Sequence, residues 1–217
     1  MAKKLYIFGN GDIAEVANFY FSKFSDYEIE GFIVDKDYLK DTNFCSKKII
    51  PTEEFLKINK NEITLFIALG YAKLNKIREQ KFNFFKEKGY SFASYLSEKA
   101  TILNDKNFGE NSFILENNVI QPFVKIGNNV TMWSGNHIGH HSLIEDNVFI
   151  SSHVVVSGRV NIKKNTFIGV NSTIRDNIII GDHAIIGAGS TILKNADSFS
   201  IYKKETTAKS KIRSDKL

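Results

Sequence analysis

Four of the five histidines in this 217-residue chain fall close together, at His137, His140, His141 and His153. Imidazole is the side chain whose ordinary proton affinity lies nearest neutral pH, so such a cluster is where acid–base chemistry is sought first. Eighteen residues beyond His140 stands Gly158. If positions with that separation lie one above the other, the ring at 140 gains open space and a backbone N–H beside it. A general base next to an oxyanion donor is what proton-coupled group transfer needs. Two other readings fit the same residues. One is a polar surface cluster without chemistry. The other is zinc, which requires nitrogens converging at ~2.0–2.1 Å; His137, His140 and His153 could meet that only across a subunit boundary.

The stacking follows from a period. Every sixth residue from Ile102 to Ile192 is large and apolar, through Phe108, Ile114, Ile120, Ile126, Met132, Ile138, Ile144, Ile150, Val156, Ile162, Ile168, Ile174, Ile180 and Ile186. No insertion breaks the phase. The residue four places later is mostly small or β-branched, as at Ser112, Val124, Val130, Val148, Thr166 and Ala184. A repeat of this length marks a parallel β-helix. Three units make one triangular coil, and coils pair as parallel strands ~4.8 Å apart. A single unit cannot bury its apolar face, so stacking makes the core. The first and fifth residues of each unit point inward. His140 is third in its unit, so it points outward near a corner. The period does not decide handedness.

Residues 1–96 follow another rhythm. Apolar strands at 4–8, 29–34, 63–69 and 91–96 alternate with amphipathic helices at 13–24, 52–58 and 72–88. That alternation predicts a Rossmann-like α/β unit on a parallel sheet. Ligands of such sheets bind beyond the carboxyl ends of the strands. Here those ends carry Gly9-Asn10-Gly11, Asp35-Lys36 and Gly70-Tyr71 with Lys73. A glycine turn before a helix can bring backbone N–H groups against phosphate, and Asp35 could hold a ribose or a base edge. The full G-x-G-x-x-G is missing because position 14 is Ala. A tight turn alone is the plain alternative to a nucleotide site.

Composition narrows the classes. The net charge of +5 and pI of about 9.1 are spread along the chain rather than gathered in a stripe, so nucleic acid is not an expected partner. One cysteine, Cys45, excludes an intrachain disulfide and fits a reducing compartment. The opening residues pass at once into a strand, and no run of ~20 apolar residues exists. A cytoplasmic protein without membrane insertion is expected. Residues 198–217 leave the six-residue phase and are rich in Lys203, Lys204, Lys209, Lys211 and Arg213. They read as a loosely packed end, or as a contact for a phosphate.

Phe8-Gly9-Asn10-Gly11, Asp35-Lys36, the six-residue array, and Gly139-His140-His141-Ser142 with Ser157-Gly158 together resemble the bacterial sugar acyltransferases of the sialic acid O-acetyltransferase type. That family includes N-acetyltransferases of nucleotide-linked amino sugars. The resemblance spans both units, 1–96 and 97–197. It implies a left-handed β-helix, a homotrimer with sites between subunits, and acetyl-CoA as co-substrate with no metal. His140 would be the base, with His141 beside it where the family often has an acid, and the Gly158 N–H would face the thioester carbonyl. Gly9, Asn10, Gly11, Asp35, Lys36, Gly70, Tyr71 and Lys73 would bind the nucleotide sugar. Val170, Gly187, Ala188, Gly189 and Lys194 would follow acetyl-CoA. Asn118, Trp133, Asn136 and His137 would line the acceptor pocket, and Glu116, Glu145 and Asp146 are the candidates to orient His140. The implied activity is N-acetylation of a nucleotide-activated amino sugar for surface polysaccharide. O-acetylation of a sialic-type sugar and a non-catalytic trimeric scaffold are the alternatives.

Overall fold

The structure, a computed structural model, describes residues 3–105, 107–205, 207, 209 and 215. The N-terminal unit contains strands β1 (Lys3–Phe8), β2 (Tyr27–Val34), β3 (Asn43–Phe44), β4 (Lys47–Pro51), β5 (Ile63–Ile67) and β6 (Ser91–Phe92). Its helices are α1 (Asp12–Phe24), α2 (Thr52–Phe55) and α3 (Lys76–Glu87). The sheet order is β3-β4-β2-β1-β5-β6. All pairs are parallel except β3 with β4, a hairpin turning at Cys45 and Ser46. Leu5, Ile7, Ala14, Ala17, Phe21 and Phe66 form the core between sheet and α1, and Phe8, Phe55, Leu65, Phe82 and Phe85 fill the other side.

Helix α3 begins later than the apolar pattern predicts. Lys73, Leu74 and Asn75 all take left-handed backbone (φ 49, 53 and 63°), so the chain turns sharply before the helix starts. The pattern also predicts one strand over 91–96, where there are two. Ser91–Phe92 joins β5, but Tyr95–Leu96 pairs with Phe113–Ile114 and is already the first rung of the β-helix.

From there the chain is a left-handed parallel β-helix. Its docking face has seven strands, from Tyr95–Leu96 through Phe113–Ile114, Thr131–Met132, Phe149–Ile150, Phe167–Ile168 and Ile185–Ile186 to Ile201–Tyr202. A second face runs from Thr101–Ile102 through His137–Ile138 to Thr191–Ile192, and a third from Lys125–Ile126 to Ile179–Ile180. Successive rungs pair at a strict eighteen-residue offset, as in His137↔Val155. The inward residues Ile114, Ile120, Ile138, Ile144, Ile150 and Ile162 are fully buried, with Val130, Val148 and Val154 between them. Ile201–Tyr202 adds a rung to the docking face, so the array extends past residue 198. Lys211 and Arg213 lie outside the described residues.

The N-terminal unit packs on the docking face. Outward rings from that face, Phe113, Phe149 and Phe167, receive Phe21, Tyr20 and Tyr71. Along the adjoining edge stand Asn111, Asn129, Asn147 and Asn165, one per coil and all buried. Each side-chain amide donates to the next carbonyl, at 2.8, 2.7 and 3.0 Å. The ladder also ties the two units together. Asn111 bonds both the N–H and the C=O of Ile67, and Asn147 and Asn165 donate to the two carboxylate oxygens of Glu79. Asn75 donates to the carbonyls of Asn165 and Thr166. Arg78, fully buried, donates to the Asn147 carbonyl at 2.8 Å and lies 5.6 Å from the Phe149 ring centre. Burial lowers its pKa to about 9.

Candidate functional site

The second and third faces meet at a corner that carries Pro122-Phe123, His140-His141, Gly158-Arg159, Asp176-Asn177 and Lys194-Asn195 in successive coils. His140 and its neighbour His141 are exposed there. The imidazole of His140 lies against Gly158. A Cβ at 158 would sit 2.7 Å from the ring's Cε1 and 2.8 Å from Nε2. Glycine at 158 therefore makes the space the ring occupies.

Gly139 serves the same end from behind. A Cβ there would come within 2.5 Å of the Gly158 nitrogen and 2.7 Å of the Ser157 oxygen. Only glycine lets the two coils close at this corner.

The Gly158 N–H has no acceptor among the described residues, and the reason is local. Equivalent corner amides are capped by side chains one coil away. Those of Glu110 and Asn128 donate to Asn128 and Asp146 above them. Those of His140 and Lys164 donate to Gln121 and Glu145 below. For residue 158 the corresponding positions are Asp176, which bonds Asn177 instead, and Gly139, which has no side chain. One open N–H thus stands beside one open imidazole nitrogen.

His140 has a hydrogen-bond partner at its other nitrogen. Its Nδ1 lies 3.1 Å from Nδ1 of His141. The carboxylates expected as orienting partners are engaged elsewhere. Glu116 accepts from Tyr20 and Ser134, Glu145 from Lys163 and the Lys164 N–H, and Asp146 from Asn128. Burial pushes the Glu116 carboxyl up, but the bonds from Ser134 and Tyr20 outweigh it and hold it below the ordinary value. Burial first, and then that same carboxylate, raise Tyr20 to about 12.

The acceptor-pocket expectation needs correction. Asn118 and Asn136 are buried, at 0% and 1% exposure. Their amides donate to the carbonyls of Leu115 and Trp133, and their oxygens accept from the N–H groups of Asn136 and Val154. They hold a corner and are too buried to meet a sugar. Trp133 packs into the inter-unit cluster with Phe113 and Leu115. Of the four, His137, half-buried on the second face just before the corner, remains near His140. His153 sits on a different edge, against Gly135. Among the described residues no three His, Cys, Asp or Glu side chains converge as metal ligands.

In the N-terminal unit, Gly9-Gly11, Asp35-Lys36 and Gly70 follow the neighbouring strands β1, β2 and β5 and so stand side by side beyond their carboxyl ends, where sheets of this kind form a ligand crevice. Gly9, at φ 124°, has no room for a side chain, because a Cβ would meet the Ala68 oxygen at 2.8 Å. Gly11, just before α1, faces open space. Asn10 makes a long contact, 3.5 Å, to the Tyr38 carbonyl, and Lys36 is exposed. Asp35 is held by Thr52 at 3.0 Å and by Lys81 at 2.6 Å. Tyr71 departs from the crevice: its ring lies 5.2 and 4.7 Å from those of Phe149 and Phe167 and helps dock the unit. Lys73 sits in the left-handed turn beyond it.

Higher on the β-helix, Val170 and Gly187-Ala188-Gly189 lie near the edge between the docking and second faces. A cleft of about 490 Å³ there is lined by Gly189, Ile192, Tyr202, Lys203 and Lys204. Lys194 is exposed two coils above Gly158, ~9.6 Å along the axis. No helix among the described residues is long and apolar enough to cross a membrane.

Comparison with known proteins agrees with this architecture. Residues 159–194 match the family described as bacterial transferase hexapeptide (six repeats). No curated protein matches the chain. Solved structures do. The acetyltransferase domain of PglB from Neisseria gonorrhoeae, in complex with acetyl coenzyme A, is 20% identical with a TM-score of 0.80, over 91% of this chain and 94% of that one. A mutant of perosamine N-acetyltransferase from Caulobacter crescentus, in complex with CoA and GDP-perosamine, is 16% identical with a TM-score of 0.82, over 91% and 92%. WeeI from Acinetobacter baumannii is 19% identical with a TM-score of 0.77, over 91% and 94%. The chain shares their fold across both units.

Proposed function

We propose that this protein is an acetyl-CoA-dependent N-acetyltransferase that acts on the amino group of a nucleotide-activated amino sugar. One observation carries the reading: the His140 ring lies on Gly158, whose N–H is open. In the reaction, Nε2 of His140 takes the proton of the neutral amine as the nitrogen bonds to the thioester carbonyl carbon. The Gly158 N–H donates to the oxygen as charge gathers there. The carbon–sulfur bond then breaks, and His140 returns the proton to the departing thiolate. No covalent enzyme intermediate is required. Two of the similar structures contain acetyl coenzyme A, or CoA with GDP-perosamine, which supports both substrate classes.

The working unit in this reading is a homotrimer. The N-terminal unit covers one face of the prism, while His140 stands on the edge opposite that face. A nucleotide sugar held in the β1–β2–β5 crevice thus meets the His140 of a neighbouring subunit more readily than that of its own. Leu143, Val155 and Ile179 are exposed on the two uncovered faces, at 36%, 41% and 44%, and suit such a contact. Acetyl-CoA would extend from Gly158 along the upper coils, with Lys194 and the lysines beside Gly189 near its phosphates. The setting would be surface-polysaccharide synthesis in the cytoplasm.

Thiol release from acetyl-CoA, measured with a panel of UDP-, GDP- and dTDP-linked amino sugars, tests the reading. At least one acceptor should give turnover, and His140→Ala should lower it by ~10²–10⁴ with the fold intact. Full turnover in that variant, or none with any acceptor, would remove the proposal.

A further inference from the structure

Among the described residues no carboxylate is hydrogen-bonded to the His140 ring, whose partner is His141. Across the 3.1 Å between the Nδ1 atoms of His140 and His141 there is room for one hydrogen, so one ring donates and the other accepts. The edge of His140 that borders Gly158 carries Nε2, and that nitrogen must be unprotonated for the ring to take a proton. We propose that neutral His141 is the positioning residue of this centre: its Nδ1 accepts the Nδ1–H of His140 and thereby leaves His140 Nε2 free beside Gly158. The inference rests on the reading of His140 as the base.

The surroundings of His141 suit that role. Its ring lies against Phe123, tilted by 39° with centroids 4.6 Å apart, and its backbone N–H donates to the Pro122 carbonyl at 3.2 Å. The two imidazoles stand nearly perpendicular, at 88°, so the in-plane N–H of one can reach the in-plane lone pair of the other. The charged or titratable groups acting on His141 are Arg159 from the coil above and His140 itself; Phe123 and Pro122 carry no charge. Local desolvation, then Arg159, then His140 hold its pKa below the ordinary histidine value, which keeps it an acceptor near neutrality.

A carboxylate in the same place would accept the same hydrogen, but its charge would also favour the protonated form of His140. The neutral acceptor fixes the tautomer without adding that charge. In the transfer step the Nδ1–H remains on His140 throughout. Only one proton moves, from the amine to Nε2 and on to the thiolate.

Substitutions at 141 separate these effects without straining the backbone. His141 has φ 59°, and the matching corner positions hold asparagine at Asn111, Asn117, Asn129, Asn147, Asn165 and Asn171. His141→Asn keeps a neutral acceptor, His141→Asp adds charge, and His141→Gly removes the acceptor in a residue that accepts this φ. NMR of the labelled imidazole nitrogens in the full chain needs no sugar. The parent should show His140 protonated at Nδ1 and bare at Nε2. The pKa of His140 should rank Gly lowest, parent and Asn together, and Asp about one unit higher. With whichever acceptor supports turnover, kcat should fall about tenfold in the Gly variant and under about twofold in Asn, with KM for acetyl-CoA unchanged. A parent His140 bare at Nδ1, or the same His140 pKa in all four proteins, overturns the proposal. Full turnover in His140→Ala would instead remove the general-base reading, so the two failures are distinct.

Discussion

Replacing Gly158 by alanine perturbs the proposed centre by a known distance. The new Cβ would stand 2.7 Å from Cε1 of His140, where ordinary contact begins at 3.4 Å, so the ring must retreat by ~0.7 Å (3.4 minus 2.7). The backbone does not object, since Gly158 is absent from the positive-φ positions. The ring is exposed and can swing away, so stability should change by no more than ~0.5 kcal/mol. A displacement approaching 1 Å costs on the order of 10²-fold in rate, or ~2.7 kcal/mol of barrier. Thiol release under saturating substrates should therefore drop about a hundredfold while the urea midpoint holds. Gly139→Ala provides the contrast. Its Cβ would strike the backbone of Ser157 and Gly158, which cannot rotate aside, and overpacking of that kind costs ~1–3 kcal/mol. The double variant His140→Ala, Gly158→Ala should be no slower than His140→Ala alone, because both changes disable one group. Unchanged turnover in Gly158→Ala, or additive losses in the pair, would refute the argument that the ring acts from its place over Gly158.

Two further outcomes probe the junction between the units. Glu79→Ala removes the one acceptor that the Asn165 amide has among the described residues and leaves it buried without that bond, so unfolding should become ~1–3 kcal/mol easier; an unchanged denaturation midpoint would contradict the latch. Tyr20 holds its proton to about 12 in the folded chain against an ordinary 10.0. Between those values the unfolded state binds fewer protons, so stability is complete below pH 10.0 and declines as pH rises toward about 12. Tyr20→Phe should flatten that part of the urea-midpoint profile relative to the parent, and identical profiles would sink the assignment.

The prism was legible in the sequence because its signal is local and repeated. An inward Ile every six residues survives any reasonable error in the turns. The stacking of Gly158 on His140 followed from the same arithmetic. What escaped was set by contacts between distant segments. The outward Phe113, Phe149 and Phe167 recur at multiples of eighteen, as do Asn111, Asn129, Asn147 and Asn165, and both columns could have been found by that spacing. Their meaning depends on Tyr71, Asn75, Arg78 and Glu79, which belong to another unit and carry no matching period. Asn118, Asn136 and Trp133 were placed in an acceptor pocket by the family resemblance alone. Burial at a corner, invisible in a linear reading, commits them instead. Tyr95–Leu96 looked like the end of one sheet because a two-residue rung has no signature apart from the coil above it.

The strict eighteen-residue offset between rungs gives the molecule a graduated axis. Adding or removing one whole coil between the docked unit and the His140 corner would carry the base ~4.8 Å up or down and leave it on the same edge. A change of six residues would send it round to a different edge altogether. Distance from the ends of β1, β2 and β5 to His140 can thus vary only in fixed steps, by counting coils rather than by bending the backbone.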